Sequence, residues 1–198
     1  MRLILASNNK NKLREFKQLV EGMDIELLSQ SEAGLHLDVE ETGTTFEENA
    51  YLKAKAVTDA LGCAAVAYDS GLVVDALGGE PGVYSARYGP GHDASDADRY
   101  NYLLNKLGDE KNRSARFVCC ICCTMPDGTV LRSRGECEGE IMQGPKGDGG
   151  FGYDPVFFVP ELRKTFAQLT PEEKNAISHR GNALRAFAAE LKTYLEKN

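Results

Sequence analysis

Helical and strand periods trade places repeatedly along this chain, and that alternation restricts it to an α/β or α+β unit. Leu3-Ile4-Leu5-Ala6 is a short apolar run that turns polar at Ser7. It suits a buried first strand over residues 2–6 and is too short for a signal peptide. Leu13, Phe16, Leu19 and Val20 then fall on one side of a helix over 13–20. A second helix is predicted from Thr44-Thr45 to about Leu61, ending at Gly62. Thr44 precedes Glu47, and Thr45 precedes Glu48, by three residues, so either pair can form a capping box. Ala64–Ala67 reads as a buried strand and Leu72–Ala76 as a separate extended segment, with loop over 78–94. Further on the pattern predicts a helix over Ser95–Leu107 and strands over about 115–125 and 129–134 joined at Pro126-Asp127-Gly128. A strand over Tyr153–Val159 follows. The last two elements are a helix opening at Thr170-Pro171 and a final helix carrying Leu184, Phe187, Leu191 and Leu195. No internal repeat or linker interrupts the 198 residues, so a single domain over 1–198 is expected.

Composition narrows the function classes. With 42% hydrophobic residues the chain can bury a core without metal or disulfide staples. A net charge of −7 argues against nucleic acid or an anionic membrane as the main partner. It leaves room for an anionic small ligand met by a local basic cluster. No apolar run reaches the roughly 18 residues of a membrane-spanning helix. Four of the six cysteines form Cys119-Cys120-Ile121-Cys122-Cys123. Neighbours in a strand point to opposite faces, so these thiols fill a buried strand rather than converge on one metal.

Several segments carry residue types suited to chemistry. Ser7-Asn8-Asn9-Lys10-Asn11-Lys12 leads from a strand into a helix N-terminus, where backbone N–H groups and the helix dipole attract anions. It is either a phosphate cradle or a solvated loop. Lys53 lies beside the apolar stripe of its helix, either snorkelling or aimed at a carboxylate or phosphate; Glu40 and Glu41 lie upstream. Asp69-Ser70-Gly71 ends the buried strand, which presents either a metal ligand at a sheet rim or a turn aspartate. The glycine-rich stretch Gly144–Gly152 leads into Phe151-Gly152-Tyr153-Asp154, a connector or a stacking face for a base. His179 and Arg180 fall in the first turn of the last helix, an unfavourable place for cations.

In order and spacing these segments resemble the inosine triphosphate pyrophosphatase family, the noncanonical purine nucleoside triphosphate pyrophosphatases. The resemblance covers almost the whole chain. It includes Ser7 through Lys12, Glu41-Thr42-Gly43-Thr44-Thr45-Phe46, Glu48-Asn49-Ala50, Lys53-Ala54 and Asp69-Ser70-Gly71-Leu72. It continues with Gly78-Gly79, Pro81 to Arg87, Gly149 to Pro155, Glu173-Lys174-Asn175 and Ser178-His179-Arg180-Gly181. The resemblance implies an α/β fold, an elongated mixed sheet flanked by helices in two lobes with the nucleotide in the cleft between them. It implies a cytoplasmic homodimer that uses Mg²⁺ to cleave ITP, dITP and XTP to monophosphate and pyrophosphate. Ser7, Asn8, Asn9, Lys10, Asn11 and Lys12 would hold the triphosphate, helped by Lys53, Lys174 and Ser70. Glu41 and Asp69 would hold the metal, and Asp69 and Lys53 would be catalytic, Asp69 as the base toward water. Phe151, Gly152, Tyr153 and Asp154 would form the base pocket, with His179 and Arg180 reading the 6-position.

One departure bears on activity. The family pattern has an acid just before Asp-Ser-Gly, and here that residue is Tyr68. A phenol is neutral at pH 7 and a poor Mg²⁺ ligand. Either Glu40, Glu41 or Glu48 compensates, or metal affinity falls and the protein binds purine nucleotides with little turnover.

Overall fold

The computed structural model describes residues 1–197. Its main elements are β1 (Arg2–Leu5), α1 (Lys10–Leu19), β2 (Glu26–Ser29), α2 (Phe46–Leu61), β3 (Ala64–Val74), α3 (Asp96–Leu107), β4 (Ser114–Thr124), β5 (Val130–Ile141), β6 (Phe157–Val159), β7 (Lys164–Thr165), α4 (Pro171–Ile177) and α5 (His179–Lys197). The strands form one sheet in the order β2-β1-β3-β4-β5-β6-β7. β1 is parallel to both neighbours, with Leu3 opposite Leu27 and Ala64. Parallel neighbours need long crossovers, which α1 and α2 supply. β6 is antiparallel to β5 and β7, so the sheet is mixed and the expected α/β class holds. Among the described residues no helix is long and apolar enough to cross a membrane.

The chain divides into two compact units. The first comprises Met1–Asp69, Cys119–Gly135 and the chain from Ala183 onward; the second comprises Ser70–Val118 and Glu136–Asn182. In the first, alternation along β1 sends Leu3 and Leu5 to a cluster with Phe16, Val66, Ile121 and Phe187, and Ile4 to another with Val57 and Ala65. Cys119 and Cys123 join the larger cluster, as strand-filling thiols should. All six cysteines are free, and burial pushes the Cys122 thiol up to about 11 and Cys123 up to about 12. The core of the second unit contains an aromatic group among aliphatic side chains. Phe117 lies 4.5 Å from Phe157 and 5.3 Å from Phe166 between centroids, and the His179 ring stacks on Phe117 at 4.7 Å and 17°.

Four boundaries differ from the sequence reading. α1 begins at Lys10, because the Asn9 side-chain oxygen accepts from the amides of Asn11 (2.9 Å) and Lys12 (3.1 Å). That cap sets the start ahead of the apolar stripe, which begins only at Leu13. β3 runs unbroken through Asp69-Ser70-Gly71, so Asp69 sits within a strand, not at its end. β1 pairs with it only as far as Val66; beyond that, its place beside β4 in the sheet overrides the local turn preference of Asp-Ser-Gly. β5 continues seven residues beyond the expected Arg134, since its alternation is carried by exposed glutamates with Cys137 and Ile141 buried. The strand expected from Tyr153 starts at Phe157, preceded by a 3-10 turn over Asp154–Val156.

Two expectations concern stability. The capping box of α2 is formed by Thr45, whose hydroxyl accepts from the Glu48 amide at 3.1 Å. Thr45→Ala should destabilise the protein by about 1 kcal/mol in urea titrations; an unchanged midpoint would mean that Thr44 takes over the cap. Burial, together with Arg180 and Lys174, holds the His179 imidazole down to about 3, and its Nδ1 is buried without a hydrogen-bond partner. The unfolded chain takes up a proton near the ordinary value of 6.5 and the native chain does not. The unfolded state therefore binds more protons between those values, and stability falls as pH is lowered through that window. His179→Phe should flatten this acid limb between about pH 6.5 and about pH 4. Equal slopes in both proteins would place the proton on the native imidazole.

Candidate active site

In the first unit, Lys53 organises a polar group at the middle of β3. Its ammonium donates to Glu41 Oε1 at 2.8 Å and to the Tyr68 carbonyl at 2.9 Å, and lies 3.7 Å from Asp69 Oδ1. A half-buried lysine beside the core thus has the partners its desolvation requires. Asn49, fully buried one turn earlier on α2, donates to Asp69 Oδ2 at 3.4 Å and accepts from the Gly43 amide at 2.8 Å. A Cβ on Gly43 would come within 2.6 Å of Asn49 Oδ1, so only glycine lets the loop bearing Glu41 approach this closely. Both oxygens of Asp69 are thereby engaged, one by an amide and one by a cation.

A pocket of about 210 Å³ adjoins this group, with Ser7, Lys12, Glu41, Lys53 and Tyr68 in its lining. Of the six loop residues expected to hold phosphate, Ser7 and Lys12 line it. Asn8, Asn9, Lys10 and Asn11 are exposed and do not. The Asn8 side chain accepts from the Ser31 amide, and Asn9 caps α1. The amides of Asn11 and Lys12 are therefore already engaged, and the anion-binding capacity here rests mainly on side chains.

Glu41 and Asp69 face one ammonium, which places two carboxylates at the edge of the same pocket. Two hard carboxylates completed by phosphate oxygens form a usual donor set for Mg²⁺. The residues present fit such an ion. Of the three acids expected to compensate for Tyr68, Glu41 is the one in this group. Glu48 is spent on the amides of Thr44 and Thr45, and Glu40 is exposed. Tyr68 itself is 4% exposed and packs in the apolar cluster.

The second unit holds the other expected residues. The Phe151 ring is 60% exposed, with Lys174 Nζ 4.7 Å and Arg180 Cζ 5.7 Å from its centroid. Asp154 is buried and accepts from Lys174 at 2.6 Å and from the Phe151 amide at 3.0 Å. Burial raises its carboxyl pKa against the opposing pull of Lys174. The Gly152 amide donates to Asp96 at the start of α3, at 2.8 Å. Tyr153 is buried, its hydroxyl donating to the Ser85 carbonyl at 2.6 Å, so it braces the loop rather than offering a face. Lys174, expected at the triphosphate, is tied here to Asp154. His179 lies in the aromatic core beside Arg180. Ser70 is half-buried in β3.

Sequence reasoning placed Asn49 with Lys53 at the edge of the apolar stripe but gave it no role, and it missed Asp96, which on an exposed first turn left no signal.

The Ham1 family model matches residues 3–190. A protein of Nostoc sp. named dITP/XTP pyrophosphatase is 50% identical over 197 residues, spanning 99% of this chain and 97% of the relative. The solved structure of the Staphylococcus aureus Ham1 protein superposes with a TM-score of 0.93 at 47% identity, covering 98% of this chain and 100% of that one. A HAM1 protein from Coxiella burnetii gives a TM-score of 0.93 at 43% identity, over 98% and 99% of the two chains. Matched over nearly its whole length in both sequence and fold, the chain belongs to the Ham1 family.

Proposed function

We propose that this chain hydrolyses the noncanonical purine nucleoside triphosphates dITP, ITP and XTP to the nucleoside monophosphate and pyrophosphate. The observation that carries this reading is the convergence of Glu41 and Asp69 on Lys53 beside a pocket lined by Ser7 and Lys12. That arrangement suits a polyanion arriving with a divalent cation. The near full-length relatives named dITP/XTP pyrophosphatase support the substrate class and favour turnover over binding alone.

Glu41 and Asp69 would hold Mg²⁺, which when bound neutralises phosphate charge and polarises the phosphoryl oxygens. Lys12 and Lys53 bind and orient the triphosphate. Asp69 takes the proton of a water that attacks the α-phosphorus. The bond from that phosphorus to the bridging oxygen breaks, and pyrophosphate leaves. The Asn49 amide and the Lys53 ammonium, one at each oxygen of Asp69, fix the carboxylate's orientation for that transfer. On the base side, the exposed Phe151 ring stacks on the purine. Arg180 is donor-only, so it suits a 6-oxo group and meets the 6-amino group of adenine donor to donor. Guanine also has a 6-oxo group, so its exclusion depends on the 2-position. We place this activity in the cytoplasm, on the free nucleotide pool, in a homodimer.

The deciding experiment is incubation with dITP and Mg²⁺ followed by phosphorus NMR. Pyrophosphate with dIMP supports the reading; orthophosphate with dIDP would replace it by γ-phosphate release. Tight binding with no product would leave a nucleotide-binding protein.

Two substitutions test the assigned roles. Asp69→Asn should lower turnover at saturating Mg²⁺ by at least about 100-fold, and wild-type turnover would remove Asp69 from the chemistry. Arg180→Ala should lower kcat/KM for ITP about 10- to 100-fold, the worth of one charge-assisted hydrogen bond, and for ATP much less. A folding defect would lower both alike, so the ITP/ATP ratio is the measurement; an unchanged ratio would move Arg180 away from the base.

A further inference from the structure

Lys12 stands in the first turn of α1, and that turn holds no acidic residue. The positive end of the helix dipole disfavours a cation there, so contacts that hold its side chain over the pocket matter. The Tyr68 ring supplies one. The Lys12 ammonium lies 4.0 Å from the ring centroid, within cation–π range. The ring is itself fixed: Phe16, one helical turn beyond Lys12, stacks on it at 6.1 Å and 16°. Tyr68 is also 4% exposed, in a cluster with Leu5, Val66 and Ala183. Its main-chain carbonyl meanwhile accepts from Lys53. One residue thus touches both pocket lysines, Lys53 through its backbone and Lys12 through its ring.

We propose that Tyr68 is a positioning residue that sets the Lys12 ammonium over the phosphate pocket through its ring face. A carboxylate here would bind Lys12 as an ion pair and draw on the positive charge that phosphates need. A ring face is neutral, so it orients the ammonium and leaves the ion's charge intact. The phenol oxygen has no part in this; the aromatic face does. The proposal deepens the hydrolysis reading and rests on it for the identity of the anion.

The test is a set of variants in the full-length protein. Tyr68→Leu should raise KM for dITP about 2- to 30-fold, the span of a cation–π contact, with kcat changed far less. Tyr68→Phe, which keeps the face, should recover most of that loss. In a Lys12→Gln background, Tyr68→Leu should add less than about twofold, because the two residues act through one contact. A Tyr68→Phe loss equal to that of Tyr68→Leu, or a Tyr68→Leu loss undiminished without Lys12, overturns the proposal.

A readout that needs neither turnover nor a folded variant is the ε-methylene resonance of Lys12 in the wild-type carbon–proton spectrum. The ring current should move it upfield of the other lysines, and an ordinary shift overturns the contact. If dITP is untouched while that resonance is upfield, the hydrolysis reading fails by itself. Calorimetry with inorganic pyrophosphate then decides the positioning role. Weaker binding in Tyr68→Leu supports it, and binding equal to wild type overturns it.

Discussion

The ammonium of Lys53 is the point on which the rest of the first unit depends. Removing it would leave Glu41 and Asp69 in a half-buried space without the cation that both now face. With it in place, a loop, a helix and a strand meet through one charge. Gly43 and Asn49 complete the arrangement, since the loop approaches only because residue 43 has no Cβ and the buried amide bridges it to Asp69.

In the second unit the equivalent role falls to the Asp154–Lys174 pair. A carboxylate with an upward-shifted pKa is anchored by one lysine and one backbone amide, and the loop closes so tightly that a Cβ at Gly150 would lie 2.2 Å from Asp154 Oδ2. The exposed Phe151 ring is therefore presented by a stiff loop despite the surrounding glycines, with Asp96 and Ser85 as outside struts. An aromatic face loses little entropy on meeting a ligand when its backbone is already ordered.

Elements with a strong period and a cap were legible in the sequence: α2 with its Thr45–Glu48 box, α3 after Ser95, and α4 after Thr170. Two of the four boundary failures share a cause. At Asp69-Ser70-Gly71 and along β5 the local residues favour turns or solvent, and the strand persists because it belongs to the sheet. Among site residues, Lys53 was legible as a lysine that wants an acid, with Glu40 and Glu41 both on offer; Asp69 was read separately as a rim or turn aspartate, and only the family resemblance joined the three. The loop after β1 was legible only as polar. Which of its side chains reach the pocket depends on where Asn9 starts the helix, and that start rotates Lys12 inward while leaving Lys10 outside.

The cysteine block of β4 has a consequence for how the protein ages and how it can be watched. Thiols whose ionisation is suppressed by burial barely exist as thiolates at neutral pH, so oxidants and alkylating reagents reach them only when the strand leaves the sheet. Cys63 lies outside β4 and is only half-buried, so reagents reach it without that opening. The chain thus carries one early-reacting sulfur and a cluster whose labelling rate follows the opening of its central strand, a clock for unfolding written into the core.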